Sequence, residues 1–250
     1  MAEGGDAPGP VALVGSGEFL DAMVDVDAGL LAGRPAAVAV VPTAAGLEGE
    51  DRVGFWLALA RRHYEAMGVE AVAVPVLGRA GAEDPAMARL IEGVGLVYLS
   101  GGDPHHLVAS LAGTPLWRAV VDGWRRGTAV AGCSAGAMAL TAGAPADLGP
   151  SGVRRQPADG AGGRGLHLVG GLAVIPHFDV LERRRPGVVG WFSSWKGAGT
   201  VLVGVEEETA LVGGADGWRA AGRGSVWVFG EGEPARYGDG EAVPLPAVTA

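Results

Sequence analysis

The feature that most constrains the fold is a series of short, continuously apolar runs in the first half of the chain. These runs are rich in β-branched residues and lie at 11–15, 36–42, 70–77, 94–102 and 128–132. Continuous rather than alternating apolar character is typical of parallel strands that are buried on both faces of a sheet. Helix-like segments separate the runs. The alternation therefore predicts a doubly wound α/β fold with right-handed crossovers.

Three of the separating segments have helical spacing. Segment 51–68 begins with acidic residues and ends at a Gly, as helices often do, and segments 104–111 and 115–126 follow the fourth run. Together with the apolar runs they predict helices packed against the sheet.

The C-terminal part of the chain has a different pattern. Segment 143–166 is rich in Gly, Pro, Ala and Arg, and we expect a long, mobile loop there that is a candidate lid. Strand character resumes at 166–178, and further short strands separated by turns are predicted at 201–213, 218–222 and 225–230. We expect these strands to extend the sheet in antiparallel fashion.

The domain organisation follows from length and patterning. The chain has 250 residues, of which 48% are hydrophobic, so it can bury a sizeable core. No internal repeat or linker divides it, and we expect a flexible lead-in at 1–9 and a single domain at 10–250. No apolar run reaches the roughly 18 residues of a membrane span. The first residues lack the basic and apolar regions of a secretory signal.

Charge and cysteine content exclude several classes of function. The net charge of −9 argues against nucleic-acid binding, which needs a basic surface. A single Cys excludes an internal disulfide and fits a reducing compartment, so we expect a cytoplasmic monomer or homodimer. One Cys and five scattered His form no metal-type ligand cluster, and we expect neither a metal nor another cofactor.

The strongest chemical signal is AVAGCSAGAMAL at 129–140, where an apolar strand turns into a helix. A Gly-x-Ser-x-Gly pattern in this context predicts a nucleophile elbow centred on Ser134. Gly accounts for 45 residues, so the context carries more weight than the pattern. Cys133 has Ala at both corresponding positions, and we expect it to be buried and inert. The alternative for Ser134 is a helix N-cap without catalytic function.

A nucleophilic serine needs a base. His177 follows an apolar strand, at the carboxyl edge of the sheet where α/β proteins gather catalytic groups. His105 and His106 follow the turn at 98–104 and are the next candidates, whereas His63 is expected on a helix surface. The alternative for His177 is a partly buried structural histidine.

The base in turn needs an orienting acid. Three glutamates follow the apolar run at 201–205, and strand alternation places Glu207 on the face opposite Glu206 and Glu208. Asp147, after the elbow helix, is a competing acid, and a solvated strand end is the alternative for the glutamates.

The oxyanion formed during acyl transfer needs N–H donors. We expect one from Ala135, at the start of the elbow helix, and a second from Gly101 or Gly102, in the turn at 98–104, although a glycine turn before a helix is also common as plain architecture. The early Gly15-x-Gly17 lacks the third glycine of a dinucleotide-binding fingerprint, and the chain has no P-loop.

The chain resembles the dipeptidase E/cyanophycinase family of serine peptidases over residues 11–229. Six motifs carry the resemblance, in this order: GSGEF at 15–19, VPTAA at 41–45, YLSGGDP at 98–104, AGCSAGA at 131–137, IPHFD at 175–179 and GVEEETAL at 204–211. The resemblance implies an α/β fold that is a three-layer α/β/α sandwich, with a mostly parallel sheet and an antiparallel C-terminal extension. This fold is similar to that of class I glutamine amidotransferases, with Ser in place of Cys at the elbow and no metal.

By position, the resemblance implies that Ser134 is the nucleophile, His177 the general base and Glu207 the acid, with Asp147 as the alternative acid. It likewise implies that the oxyanion donors are the N–H groups of Gly102 and Ala135.

The resemblance also bears on the substrate. Members that cleave cyanophycin often carry other residues at the positions of Pro104, Ile175 and Pro176. This difference argues against cyanophycin as the substrate and favours small peptides. An aspartyl preference is a candidate specificity. Arg183 and Arg185 match positions at which family members bind substrate, and a guanidinium can pair with an aspartyl carboxylate.

Asp103 is a third expected substrate-binding residue. A solvated helix start is the alternative explanation for the arginine run at 183–185. The rival functions for the whole chain are an amidase or esterase acting on a small metabolite and a non-catalytic binding protein.

Overall fold

The structure is a computed structural model that describes residues 7–142, 165–193, 199–230 and 232–248. Most of the predicted loop at 143–166 and most of the predicted lead-in at 1–9 lie outside the described residues.

A large mixed sheet forms the centre of the molecule. Its eight strands within the described residues have the order β12-β9-β8-β1-β5-β4-β2-β3. The strands are β1 Val11–Val14, β2 Ala37–Val41, β3 Glu70–Ala73, β4 Leu96–Leu99, β5 Ala129–Cys133, β8 Thr209–Gly214, β9 Gly217–Gly222 and β12 Ala242–Val243. Strands β1 to β5 pair in parallel, and β8 is antiparallel to β1. The predicted parallel core with an antiparallel C-terminal extension is confirmed.

Helices cover both faces of this sheet. In the described chain they are α1 Val24–Leu31, α2 Glu50–Ala66, α3 Arg79–Ala82, α4 Pro85–Arg89, α5 Pro104–Leu111, α6 Pro115–Arg125, α7 Ala135–Leu140, α8 Phe178–Arg184 and α9 Val188–Ser193, with short 3-10 helices at Asp21–Met23 and Thr43–Glu48. None of them is long and apolar enough to cross a membrane.

The side chains of β1 alternate between two apolar clusters. Val11 and Leu13 pack with residues of α5 and α6, whereas Ala12 and Val14 pack with residues of α1 and α2. Strands β1, β4 and β5 are buried along their whole length, which is the physical reason for their continuously apolar sequence, whereas β3, at the edge of the sheet, is partly exposed. The predicted three-layer arrangement is confirmed.

The C-terminal part also contains a second sheet that the sequence did not indicate. Four described strands form it in the order β11-β10-β7-β6: β6 Leu172–Ile175, β7 Val201–Val205, β10 Val226–Phe229 and β11 Ala235–Tyr237. Buried residues of this sheet and of α8 and α9, among them Phe178, Phe192 and Phe229, form a separate apolar cluster.

The predicted strand at 201–213 is divided between the two sheets. Its first part is β7 and its second part is β8, and the chain changes sheet through Glu206–Glu208, where Glu208 has a positive φ of 52°. Three consecutive acids interrupt the apolar pattern, so the chain turns there rather than continuing as one strand.

Candidate active site

The residue at the elbow has an unusual backbone conformation. Ser134 joins the end of β5 to the start of α7. Its backbone has φ 49° and ψ −108°, a conformation that residues other than glycine rarely adopt. Its side chain makes no capping hydrogen bond to α7, contrary to the simple N-cap interpretation.

The glycines on either side of the elbow allow close backbone approach. A Cβ atom at Gly132 would lie 2.5 Å from the carbonyl carbon of Gly136. One at Gly136 would lie 2.3 Å from the carbonyl oxygen of Leu99. Because backbone cannot yield as the tip of a side chain can, only glycine fits at either position.

Ser134, His177 and Glu207 lie in one hydrogen-bonded line. The Ser134 Oγ atom is 3.0 Å from His177 Nε2, and His177 Nδ1 is 2.9 Å from Glu207 Oε1. With the proton on Nδ1, the imidazole donates to the carboxylate and Nε2 accepts from the serine hydroxyl. The side chains of His177 and Glu207 are about two-fifths exposed, at 42% and 41%, so solvent reaches this line.

Neighbouring strands of the second sheet supply the histidine and the glutamate. His177 follows β6 as the residue before α8, with a left-handed φ of 52° and ψ of 37°, and Glu207 follows β7. Strands β6 and β7 are parallel and paired, so their carboxyl ends bring the two side chains to the same edge.

Asp179 fixes the backbone of Glu207, a role that the sequence analysis missed. Its Oδ1 atom accepts a hydrogen bond of 3.0 Å from the Glu207 N–H, and its Oδ2 accepts one of 2.7 Å from Arg183. Partial burial alone would raise the pKa of Asp179. The hydrogen bonds from Glu207 and Arg183, together with the charge of Arg183, outweigh burial and hold the pKa below its ordinary value.

The predicted oxyanion donors are Ala135, which directly follows Ser134, and Gly102, which directly follows Gly101. Gly101 lies against the nucleophile candidate, since a Cβ atom there would be 3.6 Å from the Cβ of Ser134. Gly102 follows with φ 144°, and a Cβ on it would lie 2.3 Å from the carbonyl oxygen of Ala44. Among the described residues, no backbone carbonyl accepts from the N–H of Gly102 or Ala135.

The expected substrate-binding residues have structural partners of their own. Asp103 is the N-cap of α5, and its Oδ1 accepts a hydrogen bond of 2.8 Å from the His106 N–H. Arg183 and Arg185 lie at the C-terminal end of α8 rather than at a helix start. Asp147, the alternative acid, lies outside the described residues.

Two other histidines have structural partners. His63, which we expected on a helix surface, is buried, and its Nε2 atom is 2.8 Å from Asp27 Oδ2. The helical spacing gave no signal for this pair, because Asp27 lies on a different helix. His106 Nε2 is 2.7 Å from the carbonyl oxygen of Leu77.

The structure also reveals two buried glutamates near the site. Glu18, from the GSGEF motif, contacts the thiol of Cys133, which is itself fully buried. Glu206 accepts hydrogen bonds from Trp227 and Arg236 of the second sheet, and therefore faces away from His177. Strand alternation signalled the orientation of Glu206, whereas no local pattern signalled the contact of Glu18.

Comparisons with known proteins found a matching family model and solved structures of similar fold. The model of peptidase family S51 matches residues 12–219. The crystal structure of a peptidase from an acI-B1 Actinobacterium is similar with a TM-score of 0.81 and 32% identity, covering 96% of this chain and 98% of that one. The crystal structure of a candidate peptidase E protein from Listeria monocytogenes EGD-e covers 87% of this chain and 100% of its own, with a TM-score of 0.61; at 15% identity it shows the fold alone. No curated protein sequence matches the chain significantly.

Proposed function

The chain belongs to peptidase family S51, the dipeptidase E/cyanophycinase family of serine peptidases, and from this membership we propose that it hydrolyses small peptides through Ser134, His177 and Glu207. The serine peptidase activity follows from the family. The assignment of the three residues and the class of substrate are the proposal.

The observation that carries the proposal is the hydrogen-bonded line from Ser134 through His177 to Glu207, with distances of 3.0 and 2.9 Å. Both distances are within the range over which a nucleophile, a base and an orienting acid act together. The line is also accessible, because the histidine and glutamate side chains are partly exposed.

The chemistry follows in two steps. In the first, His177 Nε2 accepts the proton of Ser134 while Oγ attacks the peptide carbonyl carbon. The resulting imidazolium, stabilised by Glu207, then gives that proton to the amine as the C–N bond breaks. In the second, His177 activates a water molecule that attacks the acyl-enzyme ester, and Ser134 recovers its proton as the acid product leaves.

The negative charge that develops on the carbonyl oxygen needs donors that are already in position. Two observations support the N–H groups of Gly102 and Ala135 in this role. Ala135 directly follows Ser134, and Gly101, the neighbour of Gly102, lies near the Ser134 side chain; neither N–H has a backbone acceptor in the described chain. The start of α7 adds a favourable local field for an anion.

We propose dipeptides with an N-terminal aspartyl residue as the first substrates to test. Membership of the dipeptidase E/cyanophycinase family supports a small peptide substrate. Arg183 supports the acidic preference, since its side chain is 65% exposed and is linked to the Glu207 backbone through Asp179. A substrate carboxylate can pair with such a guanidinium.

Mass spectrometry of a mixed dipeptide pool tests the proposal. The pool contains Asp-X, β-Asp-Arg and neutral dipeptides, incubated with the wild type, with Ser134→Ala and with the control Ser193→Ala, whose hydroxyl donates to the Val189 carbonyl in α9. We expect the wild type and the control to consume Asp-X members and Ser134→Ala to consume none. Consumption by Ser134→Ala would overturn the nucleophile assignment, and consumption of neutral members alone would overturn the aspartyl preference.

A further inference from the structure

A buried carboxylate, that of Glu18, contacts two residues that adjoin the proposed catalytic groups. Glu18 is only 6% exposed, and each of its oxygens accepts one buried hydrogen bond. Oε1 accepts from the Gly101 N–H at 2.9 Å, and Oε2 accepts from the Cys133 thiol at 2.8 Å. The glutamate therefore links two chain segments that are far apart in sequence.

Both partners of Glu18 immediately precede a proposed catalytic group. Gly101 precedes Gly102, whose N–H is a proposed oxyanion donor, and Cys133 precedes Ser134, the proposed nucleophile. We propose that Glu18 is a positioning residue that sets the distance between the Gly102 N–H and the Ser134 hydroxyl. This inference rests on the proposed function, because it assigns Glu18 a role through those two groups.

Glu18, Gly101 and Ser134 lie close together, so a shift of the carboxylate is expected to move its neighbours. A Cβ atom at Gly101 would lie 3.0 Å from Glu18 Oε1 and 3.6 Å from the Cβ of Ser134. Closely packed interiors transmit such displacements instead of absorbing them. Loss of either hydrogen bond is therefore expected to change the geometry of the oxyanion site.

The protonation of Cys133 suits it to donate to the carboxylate. Burial raises the pKa of the thiol well above its ordinary value, and the neighbouring Glu18 carboxylate raises it further. The thiol thus keeps its proton and can donate it to Glu18 Oε2. This interaction gives Cys133 a structural role although it is not the nucleophile.

The segment that carries Glu18 is held by the same part of the chain that supplies the acid. A Cβ atom at Gly15 would lie 2.1 Å from the carbonyl oxygen of Glu206, and the Glu208 N–H donates to the Ser16 carbonyl at 3.1 Å. The GSGEF motif therefore touches the chain on both sides of Glu207. Its glycines permit this close approach, and its glutamate reaches below the elbow.

A positioning role predicts an effect on the transition state in particular. The oxyanion exists only during the reaction, so misplaced donors lower the rate of the chemical step and leave ground-state binding nearly unchanged. A purely structural role predicts loss of stability without this kinetic signature.

The test measures phosphonylation of Ser134 by an alkyl fluorophosphonate, which needs an activated serine and places negative charge near the oxyanion donors. The serine oxygen forms a bond to phosphorus and fluoride leaves, so the reaction does not depend on the peptide specificity. We expect Glu18→Gln to lower the maximal labelling rate by about 10- to 100-fold with an unchanged half-saturating probe concentration.

Substitutions of Cys133 test the positioning role of Glu18 independently of Glu18→Gln. Cys133→Ser keeps a donor for Glu18 and is expected to label within about 3-fold of the wild type, whereas Cys133→Ala removes the donor and is expected to label at least about 10-fold more slowly. If Glu18→Gln does not fold, as judged by circular dichroism, this pair decides the question.

The matched control is Asp27→Asn, which alters another buried carboxylate on the same side of the main sheet. Asp27 is 1% exposed and is hydrogen-bonded to His63 rather than to the elbow. We expect this variant to lower the thermal midpoint while its labelling rate stays at the wild-type value.

The outcomes separate the two proposals. If the wild type is not labelled, or Ser134→Ala is labelled equally, the proposed function fails. If the wild type is labelled and Ser134→Ala is not, but Glu18→Gln and Cys133→Ala label at the wild-type rate, the positioning role alone is overturned. Equal slowing in Asp27→Asn would overturn it as well, because the effect would then be general destabilisation.

Discussion

The proposed catalytic groups come from two regions that are built differently. The elbow region, around Ser134, is the end of β5 in the main sheet, where backbone contacts leave no room for a Cβ atom at Gly132 or Gly136. The relay region, which supplies His177 and Glu207, lies at the edge of the second sheet. Its two side chains are partly exposed and are held by hydrogen bonds.

The two regions are therefore expected to respond differently to substitutions. Close backbone packing couples the geometry of the elbow region to the stability of the main sheet, so damage there is expected to affect both. The relay region depends on side-chain hydrogen bonds near solvent, where removal of a side chain leaves no large cavity. Damage there is expected to affect turnover and to leave stability nearly unchanged.

The largest effect is expected from removal of the base in the relay region. His177→Ala leaves Ser134 without a proton acceptor, and we expect turnover of an aspartyl dipeptide to fall by at least about 10⁴-fold with little change in the thermal midpoint. The control is His105→Ala, an exposed position on α5. A His177→Ala enzyme within 10-fold of the wild type would remove the relay region from the mechanism.

The next effect distinguishes the two candidate acids. Glu207→Gln keeps the shape of the side chain but removes the charge that stabilises the imidazolium, and we expect kcat to fall by about 10³- to 10⁴-fold. Asp147→Asn is expected to retain wild-type kcat. The opposite ranking would transfer the acid role to Asp147 and leave Glu207 as a partly exposed partner of His177.

A substitution in the elbow region tests whether catalytic geometry and stability are coupled there. Gly132→Ala places a methyl group against the backbone of Gly136, and we expect it to lower the free energy of unfolding by about 3 kcal/mol and kcat by about 100-fold. Gly54→Ala in α2 is the matched control, since its Cβ would meet nothing within 4 Å, and about 0.5–1 kcal/mol of stabilisation is expected. Urea denaturation and dipeptide turnover measure both quantities. Unchanged stability in Gly132→Ala would contradict the distinction between the regions.

The contrast also explains which parts of the molecule the sequence predicts. The parallel core was predictable because each strand is a short apolar run, and the elbow was predictable because Ser134 lies between two glycines in a strand-to-helix context. The apolar runs are longer than the observed strands; the run at 94–102, for example, contains the shorter strand Leu96–Leu99. The end of this run forms a turn next to the candidate site.

The remaining features depend on contacts between distant residues. Glu18 contacts Gly101 and Cys133 across 83 and 115 positions, and the second sheet pairs β6 with β7 across the segments that separate them. No local periodicity records such pairings. Asp179 was missed for a related reason: it ends the IPHFD motif, but its contact is with the backbone N–H of Glu207, 28 positions away.

The smallest effect is expected from substitution of Asp179, which holds the Glu207 backbone in the relay region. Its pKa in the folded protein lies below the ordinary value of 3.8, so the folded state favours the charged form. The stabilisation that it contributes is therefore fully present above about pH 4 and is lost as the pH falls through the lower folded-state pKa. Asp179→Asn keeps an oxygen that can accept from the Glu207 N–H but loses the charge.

We therefore expect Asp179→Asn to lower kcat only a few-fold and to lower the thermal midpoint at pH 7 only slightly, because the ion pair with Arg183 is largely exposed. The difference in midpoint from the wild type should shrink as the pH is lowered from about 4 towards 2. Glu65→Gln, in an exposed ion pair with Arg61 at 3.9 Å, is the control and should show almost no difference at any pH. A difference for Asp179→Asn that stayed constant with pH would mean that the carboxylate charge does not hold Glu207, and that the relay region is maintained by packing, as the elbow region is.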